Sequence, residues 1–185
     1  MKSPWRSILK KYLYDYAVLF FFSGLIVLLD QLTKNIVRAN LGNYEIYRPD
    51  LWLTQYVRIF HIHNTGAAFG LFQRFGGVFT FLSFVVGIFI LYYFPQIPRT
   101  DRVLRLALCL QFAGAVGNLL DRINHGYVTD FISILNLPVF NLADLSISCG
   151  VALLVITMWV RDRKKKTENP AESAAAGLPE DAQGE

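Results

Sequence analysis

Two carboxylates bracket a short segment of this 185-residue chain: Asp130, in Gly126-Tyr127-Val128-Thr129-Asp130-Phe131, and Asp144, in Phe140-Asn141-Leu142-Ala143-Asp144. If the segment between them returns to the membrane face it left, the two side chains can meet. Facing carboxylates are the minimum equipment of an aspartic peptidase, in which an ionised member takes a proton from water while its protonated partner hydrogen-bonds the scissile carbonyl. Like charges a few ångströms apart resist ionising together, so such a pair holds one proton near neutral pH. Its titration belongs to both members, and which of them is the base stays open. Each aspartate also has an ordinary explanation. Asn141 as an N-cap with Asp144 at the third helical position resembles a capping box, which accounts for both residues without catalysis, and a lone Asp130 in a loop would be solvated.

Other polar residues stand where apolar ones are expected. Asp30 and Lys34 are one helical turn apart and can pair; taken alone, they read as an ion pair near the membrane interface. Gln111, Gly114, Asn118 and Arg122 recur at steps of three, four and four, a stripe along one helix face. Glycine there lets a second backbone approach. The stripe is either a packing seam with hydrogen bonds across it or the wall of a polar site. Arg122, at the outer boundary, wants a carboxylate or a headgroup and is expected to steady the loop that carries Asp130. His61 and His63 have H-x-H spacing and share one side of a strand, but no third ligand is near, so they read as surface histidines. No metal and no other cofactor is expected. Nucleophile motifs built on Ser or Cys, phosphate loops and dinucleotide fingerprints are absent from the sequence. Cys109 and Cys149 both lie in apolar runs, which excludes a disulfide framework or a zinc ribbon.

These residues need elements to hold them, and composition points to a bilayer. Hydrophobic residues make up 54% of the chain and charged ones 17%, less charge than a soluble domain carries. The net +4 arises from Lys and Arg placed between apolar blocks, so no nucleic-acid partner is expected. Four apolar runs, at about 16–37, 78–94, 103–120 and 142–160, each approach the roughly 20 residues a membrane span requires. Pro95 and Pro98 stop the second. The first follows a basic start like that of a secretory signal, but it ends in Leu28-Leu29-Asp30-Gln31 rather than in small residues, and reads as a retained helix. Lys2, Arg6, Lys10 and Lys11, then Arg99, Arg102 and Arg105, then Arg161, Arg163, Lys164, Lys165 and Lys166 crowd one side. The sparser Lys34, Arg38, Arg48, Arg58, Arg74 and Arg122 fall on the other. The bias places both termini in the cytoplasm and two segments, about 38–77 and 121–141, outside. The aromatic, β-branched stretch within Tyr44 to His63 suggests a short hairpin on the membrane surface. One four-helix domain over 1–160 is expected, followed by a basic and then disordered cytoplasmic tail at 161–185.

With these residues together, the chain resembles the bacterial lipoprotein signal peptidases, signal peptidase II. Four blocks match that family's signatures in order: Asp30-Gln31-Leu32-Thr33-Lys34; Asn64-Thr65-Gly66-Ala67-Ala68-Phe69-Gly70; Gly114 to Arg122 leading into Val128-Thr129-Asp130-Phe131; and Phe140 to Asp144. The resemblance implies an all-α polytopic fold of four transmembrane helices with a small extracytoplasmic β-sheet cradle, in a bacterial inner membrane. It implies an aspartic endopeptidase that removes the signal peptide of diacylglyceryl-modified prolipoproteins, cutting on the amino side of the lipidated cysteine. Asp130 and Asp144 match the catalytic pair. Asp30, Lys34, Asn64, Gly114, Asn118, Arg122 and Asn141 match positions that shape and support the site. The implied partners are prolipoproteins, membrane lipid and globomycin-type inhibitors. Two rival classes remain: a proton-coupled transporter, which would spread polar groups through the bilayer depth, and a non-catalytic assembly factor, for which the Gly and Asn stripe is only a seam.

Overall fold

The computed structural model describes residues 4–49, 52–66 and 76–168. Four long helices, α1 (Pro4–Asn40), α2 (Gly76–Tyr93), α3 (Arg102–His125) and α4 (Leu142–Glu168), meet at one end three strands, β1 (Ile46–Tyr47), β2 (Val57–Asn64) and β3 (Val128–Ile134). Each helix contains a stretch long and apolar enough to cross a bilayer: Leu9–Asn40, Gly76–Gln96, Arg102–His125 and Leu142–Lys164. The molecule is a mostly helical, multi-pass membrane protein with one small antiparallel sheet.

Hydropathy locates a bilayer whereas caps locate helix ends, and the two differ here. α1 begins at Pro4, well before the apolar run near Tyr16, because proline suits a first helical turn and nothing after it breaks the helix. α3 continues past Leu120 to His125. It stops at Gly126, whose φ of 79° supplies the left-handed cap and whose N–H reaches the Arg122 carbonyl at 3.0 Å. α4 likewise runs through its basic segment to Glu168. Of the stretch expected to be disordered from Thr167 to Glu185, Thr167 and Glu168 instead end α4, and 169–185 lie outside the described residues, as do Ala67, Ala68, Phe69 and Gly70 of the second signature block.

The central helix is α3, with 56% of its span buried against 17%, 11% and 17% for α1, α2 and α4. The outer helices turn Phe20, Phe21, Phe81, Phe84, Val151 and Met158 outward, where acyl chains would contact them. Lipid offers apolar helices no hydrophobic reason to associate, so close approach and hydrogen bonds must hold the bundle. A Cβ on Gly114 would stand 2.4 Å from the Ala143 carbonyl oxygen and 2.5 Å from Ile147 Cγ1, which brings α4 against α3. A Cβ on Gly117 would meet Asp30 Oδ2 at 2.7 Å, which brings in α1. Ser23 Oγ donates to the Cys109 carbonyl at 2.9 Å and Ser146 Oγ to that of Leu110 at 2.6 Å. Leu19, Ile90, Leu108 and Phe112 pack into a small apolar core among α1, α2 and α3.

The sheet order is β1-β2-β3, antiparallel throughout. β1 and β2 form the expected hairpin, Ile46 opposite Phe60, but Trp52–Gln55 coil into a 3-10 turn rather than extending the strand. β3 occupies 128–134, where 126–131 reads from sequence as loop. It is buried on both faces at Val128, Thr129, Asp130 and Phe131, so it lacks the alternation that betrays a half-buried strand. The register of β2 on β3 shifts between Ile59 and Ile62, a bulge beside Asp130. Beyond β3 the chain turns at Leu135, which takes a left-handed φ of 46°. It then comes back so that Ile132 and Phe140 exchange hydrogen bonds of 2.7 and 3.0 Å.

Candidate active site

The sheet carries Asp130 and a helix start carries Asp144. On β3, Asp130 lies opposite Ile62, and Asn64 on the same face of β2 reaches diagonally to it, Nδ2 donating to Asp130 Oδ2 at 2.8 Å. The backbone N–H of Gly66 holds Asn64 Oδ1 at 2.9 Å, which fixes the amide's direction. Asp130 Oδ1 accepts from Asn141 Nδ2 at 2.7 Å. Asn141 reaches that point because the Ile132 to Phe140 bridge returns the segment preceding α4 to the side of β3.

Asn141 caps α4. Its Oδ1 accepts from the Asp144 N–H at 3.0 Å while Asp144 Oδ2 accepts from the Asn141 N–H at 3.2 Å, a reciprocal capping box. The box leaves the other oxygen of Asp144 available, and Asp144 Oδ1 accepts from Asn118 Nδ2 at 2.7 Å. Asn141 Nδ2 also reaches Asn118 Oδ1 at 3.2 Å. A continuous chain of amides therefore connects Asp130 to Asp144, and both carboxylates face one cavity of about 530 Å³ lined also by Asn64, Phe79, Asn118, Arg122, Phe140 and Ile147. Burial, and after it the charge of Asp144, pushes Asp130 up to about 7, against the opposing pull of its hydrogen bonds from Asn64 and Asn141. Asp130 thus retains a proton close to neutrality.

Beneath the amides lies a buried ionic floor. Lys34, 0% exposed, places Nζ 2.8 Å from Asp30 Oδ2, 3.1 Å from Asp121 Oδ2 and 3.1 Å from Asn118 Oδ1, which uses all three of its donors. Asp121 Oδ1 takes Arg38 Nη1 at 3.2 Å. Two carboxylates thus face two cations, and the desolvation that makes a lone buried charge costly is offset. Asp30 Oδ1 accepts the Ala143 N–H at 2.9 Å, satisfying an otherwise orphaned donor of the first turn of α4. Asp121 Oδ2 accepts the Thr129 N–H at 2.9 Å, and Arg38 donates to Thr129 Oγ1 at 2.7 Å. The residue before Asp130 is thereby fixed.

Of the residues singled out in the sequence, Asn64, Asn118, Arg122, Asp130, Asn141 and Asp144 are brought to one site, Asp30 and Lys34 lie directly under it, and Gly114 sits in the α3–α4 seam. Gln111 is off the cavity, with a buried Nε2 that finds no partner among the described residues. Two expectations are corrected. Arg122 does not steady the loop bearing Asp130: that task falls to Asp121 and Arg38, while Arg122 lines the cavity with its guanidinium 5.8 Å from the Phe79 ring centroid and a buried Nε that has no partner among the described residues. His61 is not a surface residue. It is 2% exposed, with Nδ1 2.8 Å from the Leu41 carbonyl oxygen, because the bulge and the end of α1 close over it. His63 does lie nearer solvent, stacked on Tyr127 at 3.8 Å, and burial followed by the neighbouring charges of His61 and Arg38 lowers its pKa. Among the described residues no group of three His, Cys, Asp or Glu is arranged to hold a metal.

Sequence reasoning missed Asp121, Arg38 and Thr129. Their signal was a second stripe: Gly117 and Asp121 are one turn apart on α3, and Lys34 and Arg38 one turn apart on α1.

Comparison with known proteins shows the family. The family model described as signal peptidase (SPase) II matches residues 22–160. A lipoprotein signal peptidase of Alteromonas mediterranea is 37% identical over 161 residues, covering 83% of this chain and 86% of its own length. That of Moorella thermoacetica is 41% identical, covering 70% and 85%, and that of Bacillus subtilis 38%, covering 78% and 94%. A bacterial membrane enzyme solved by the in meso method at 2.3 Å resolution superposes with a TM-score of 0.72 at 28% identity, over 83% of this chain and 91% of that one.

Proposed function

Because the chain belongs to the signal peptidase II family, we propose that it cleaves prolipoproteins by an aspartic mechanism in which Asp130 and Asp144 are the catalytic pair. Its activity is that of a lipoprotein signal peptidase. The aspartic type rests on one observation: two carboxylates joined through Asn141 and Asn118 share one cavity, where burial, and after it the charge of Asp144, raises Asp130 to about 7.

At neutral pH the pair holds one proton. The ionised carboxylate takes a proton from a water molecule, whose oxygen attacks the scissile carbonyl carbon. The protonated carboxyl gives its hydrogen to the carbonyl oxygen, producing a tetrahedral diol. Collapse breaks the carbon–nitrogen bond, a proton passes to the departing nitrogen, and a new carboxylic acid and a free amine leave. Arg122 is the cation among the described residues that line the cavity, and it balances the single negative charge of the singly protonated pair. Asn64, Asn118 and Asn141 keep the two carboxylates oriented, while Asp30 and Lys34 anchor the start of α4 and Asn118.

The substrate in this reading is a prolipoprotein already bearing diacylglyceryl on its cysteine, cut on the amino side of that residue. Signal helix and lipid both stay in the bilayer, which suits a site at the membrane boundary. The distribution of Lys and Arg supports an inner-membrane orientation with cytoplasmic termini and the sheet outside. Globomycin-type cyclic peptides are the inhibitors to try first.

The decisive assay is cleavage of purified prolipoprotein, with and without diacylglyceryl, by detergent-solubilised wild type, Asp130→Asn and Asp144→Asn, each with and without chelator. Cleavage of the lipidated form alone, lost in both variants and indifferent to chelator, is expected. Cleavage by both variants would end the paired-carboxylate assignment. Inactivity of a folded wild type would favour the transporter or assembly readings.

A further inference from the structure

The end of the bundle remote from the sheet carries a second cavity, of about 360 Å³, in the seam between α1 and α3. Arg99, Arg102 and Arg105 ring its mouth, and Tyr14, Val18 and Phe22 of α1 and Leu106 and Cys109 of α3 form its walls. A single carboxylate, that of buried Asp15, opposes the three guanidiniums. Arg99 Nε meets Asp15 Oδ1 at 3.1 Å and Arg105 Nη2 meets the same oxygen at 2.9 Å. Asp101 does not line this cavity; it pairs with Arg161, and both line another. Among the described residues no carboxylate lies within ion-pair distance of Arg102, which is exposed. Among the described residues the mouth therefore keeps a net positive charge.

Two of the three guanidiniums, those of Arg99 and Arg105, are also held in place before any ligand arrives, and Arg102 stands exposed beside them. Arg99 lies 4.4 Å from the Tyr14 ring centroid and Arg105 lies 4.2 Å from that of Phe94. Arg105 further donates to the Ile97 carbonyl at 3.2 Å. Fixed planar forks suit phosphate oxygens better than mobile ammonium groups do. Tyr14, Val18 and Phe22 succeed one another at one-turn steps, a wall of about 12 Å running from the charged mouth toward the middle of the bundle. Phe22 and Leu106 are open to the lipid side. An anion with an apolar extension matches this shape, whereas a free ion would leave the walls uncovered.

We propose that this cleft binds an acidic phospholipid of the leaflet opposite the sheet, with its phosphate on Arg99 and Arg102 and one acyl chain along Val18, Phe22 and Leu106. The lipid completes the neutralisation that Asp15 begins and ties α1 to α3, the helices that carry Lys34 and Asn118. The inference is independent of the peptidase reading and is tested without an activity assay.

The test is native mass spectrometry of the full-length protein in detergent micelles containing equal amounts of phosphatidylglycerol and phosphatidylcholine. Wild type should retain one phosphatidylglycerol in preference to phosphatidylcholine. Arg102→Gln should weaken that retention about fivefold, and Arg99→Gln with Arg102→Gln about twentyfold or more. Arg102 makes no ion pair within the described residues, so its variant should keep the wild-type circular dichroism. Leu106→Trp, which fills the apolar wall and leaves all three arginines, should also reduce retention. Equal retention of both lipids by wild type, or unchanged phosphatidylglycerol binding in the double arginine variant, would overturn the proposal. So would unchanged binding in Leu106→Trp, or competition by glycerol phosphate as effective as that by the whole lipid, which would mark a site for free phosphate.

Discussion

Asn141 is the residue at which helix capping and the proposed chemistry coincide. Its side chain caps α4 through Oδ1 and reaches Asp130 and Asn118 through Nδ2. Asn141→Ser keeps a competent cap but cannot span to Asp130. Its melting temperature should stay close to wild type while kcat drops about 10- to 100-fold, the loss expected for one hydrogen bond to a charged group; equal losses in both would reduce Asn141 to a cap. Asp130 sets the pH behaviour. Burial and the charge of Asp144 hold it protonated up to about 7, so kcat/KM should fall above that pH, toward tenfold per unit, as the pair loses its shared proton. The folded chain keeps a proton that the unfolded chain releases near 3.8, so this group's contribution to stability is full below that value and is lost as pH rises to about 7. Thermal melts of Asp130→Asn between pH 4 and 8 should show that dependence flattened. The sequence made both aspartates legible through their flanking of one turn. It left Asp121 obscure because a single aspartate at the end of an apolar run looks like the limit of a span, and only the fold reveals Arg38 at one of its oxygens and Thr129 and Lys34 at the other.

At the scale of elements, α3 does most of the positioning, and its glycines allow it. Gly114→Ala would drive a methyl into the Ala143 carbonyl and Ile147, both on α4. The backbone on one side cannot yield as a flexible side chain would, so the helices must part, at a cost of about 1–3 kcal/mol. Since Asn118 and Asp144 sit on the two helices that separate, activity should fall further than stability, which paired melting and cleavage assays on Gly114→Ala would register. The four helices were readable because each hydrophobic run meets the length of a bilayer. Their true ends were not, since the apolar run of α3 fades near Leu120 while the helix continues to His125 and stops only at Gly126. β3 was hidden for a different reason: buried on both faces and only seven residues long, it offers no alternation to read.

For the whole molecule, the ionic floor joins α1, α3, β3 and α4 through Asp30, Lys34, Arg38 and Asp121. Lys34→Met would leave two buried carboxylates with only Arg38 to oppose them and should lower stability by about 3–5 kcal/mol, seen as a large fall in melting temperature in detergent. The substituted protein would need to melt like wild type for the floor to be dispensable. The proposed dyad itself spans two mechanical bodies, for Asp130 belongs to the sheet and Asp144 to a helix long enough to cross the bilayer. They are joined by the exchange of hydrogen bonds between Ile132 and Phe140. Because that exchange and the amides of Asn141 and Asn118 tie the sheet to the helix, thickening or thinning the surrounding lipid should tilt the two together while the working gap between the carboxylates stays fixed. The site then behaves as a gauge block carried on a flexing frame, and its turnover should be nearly insensitive to acyl-chain length.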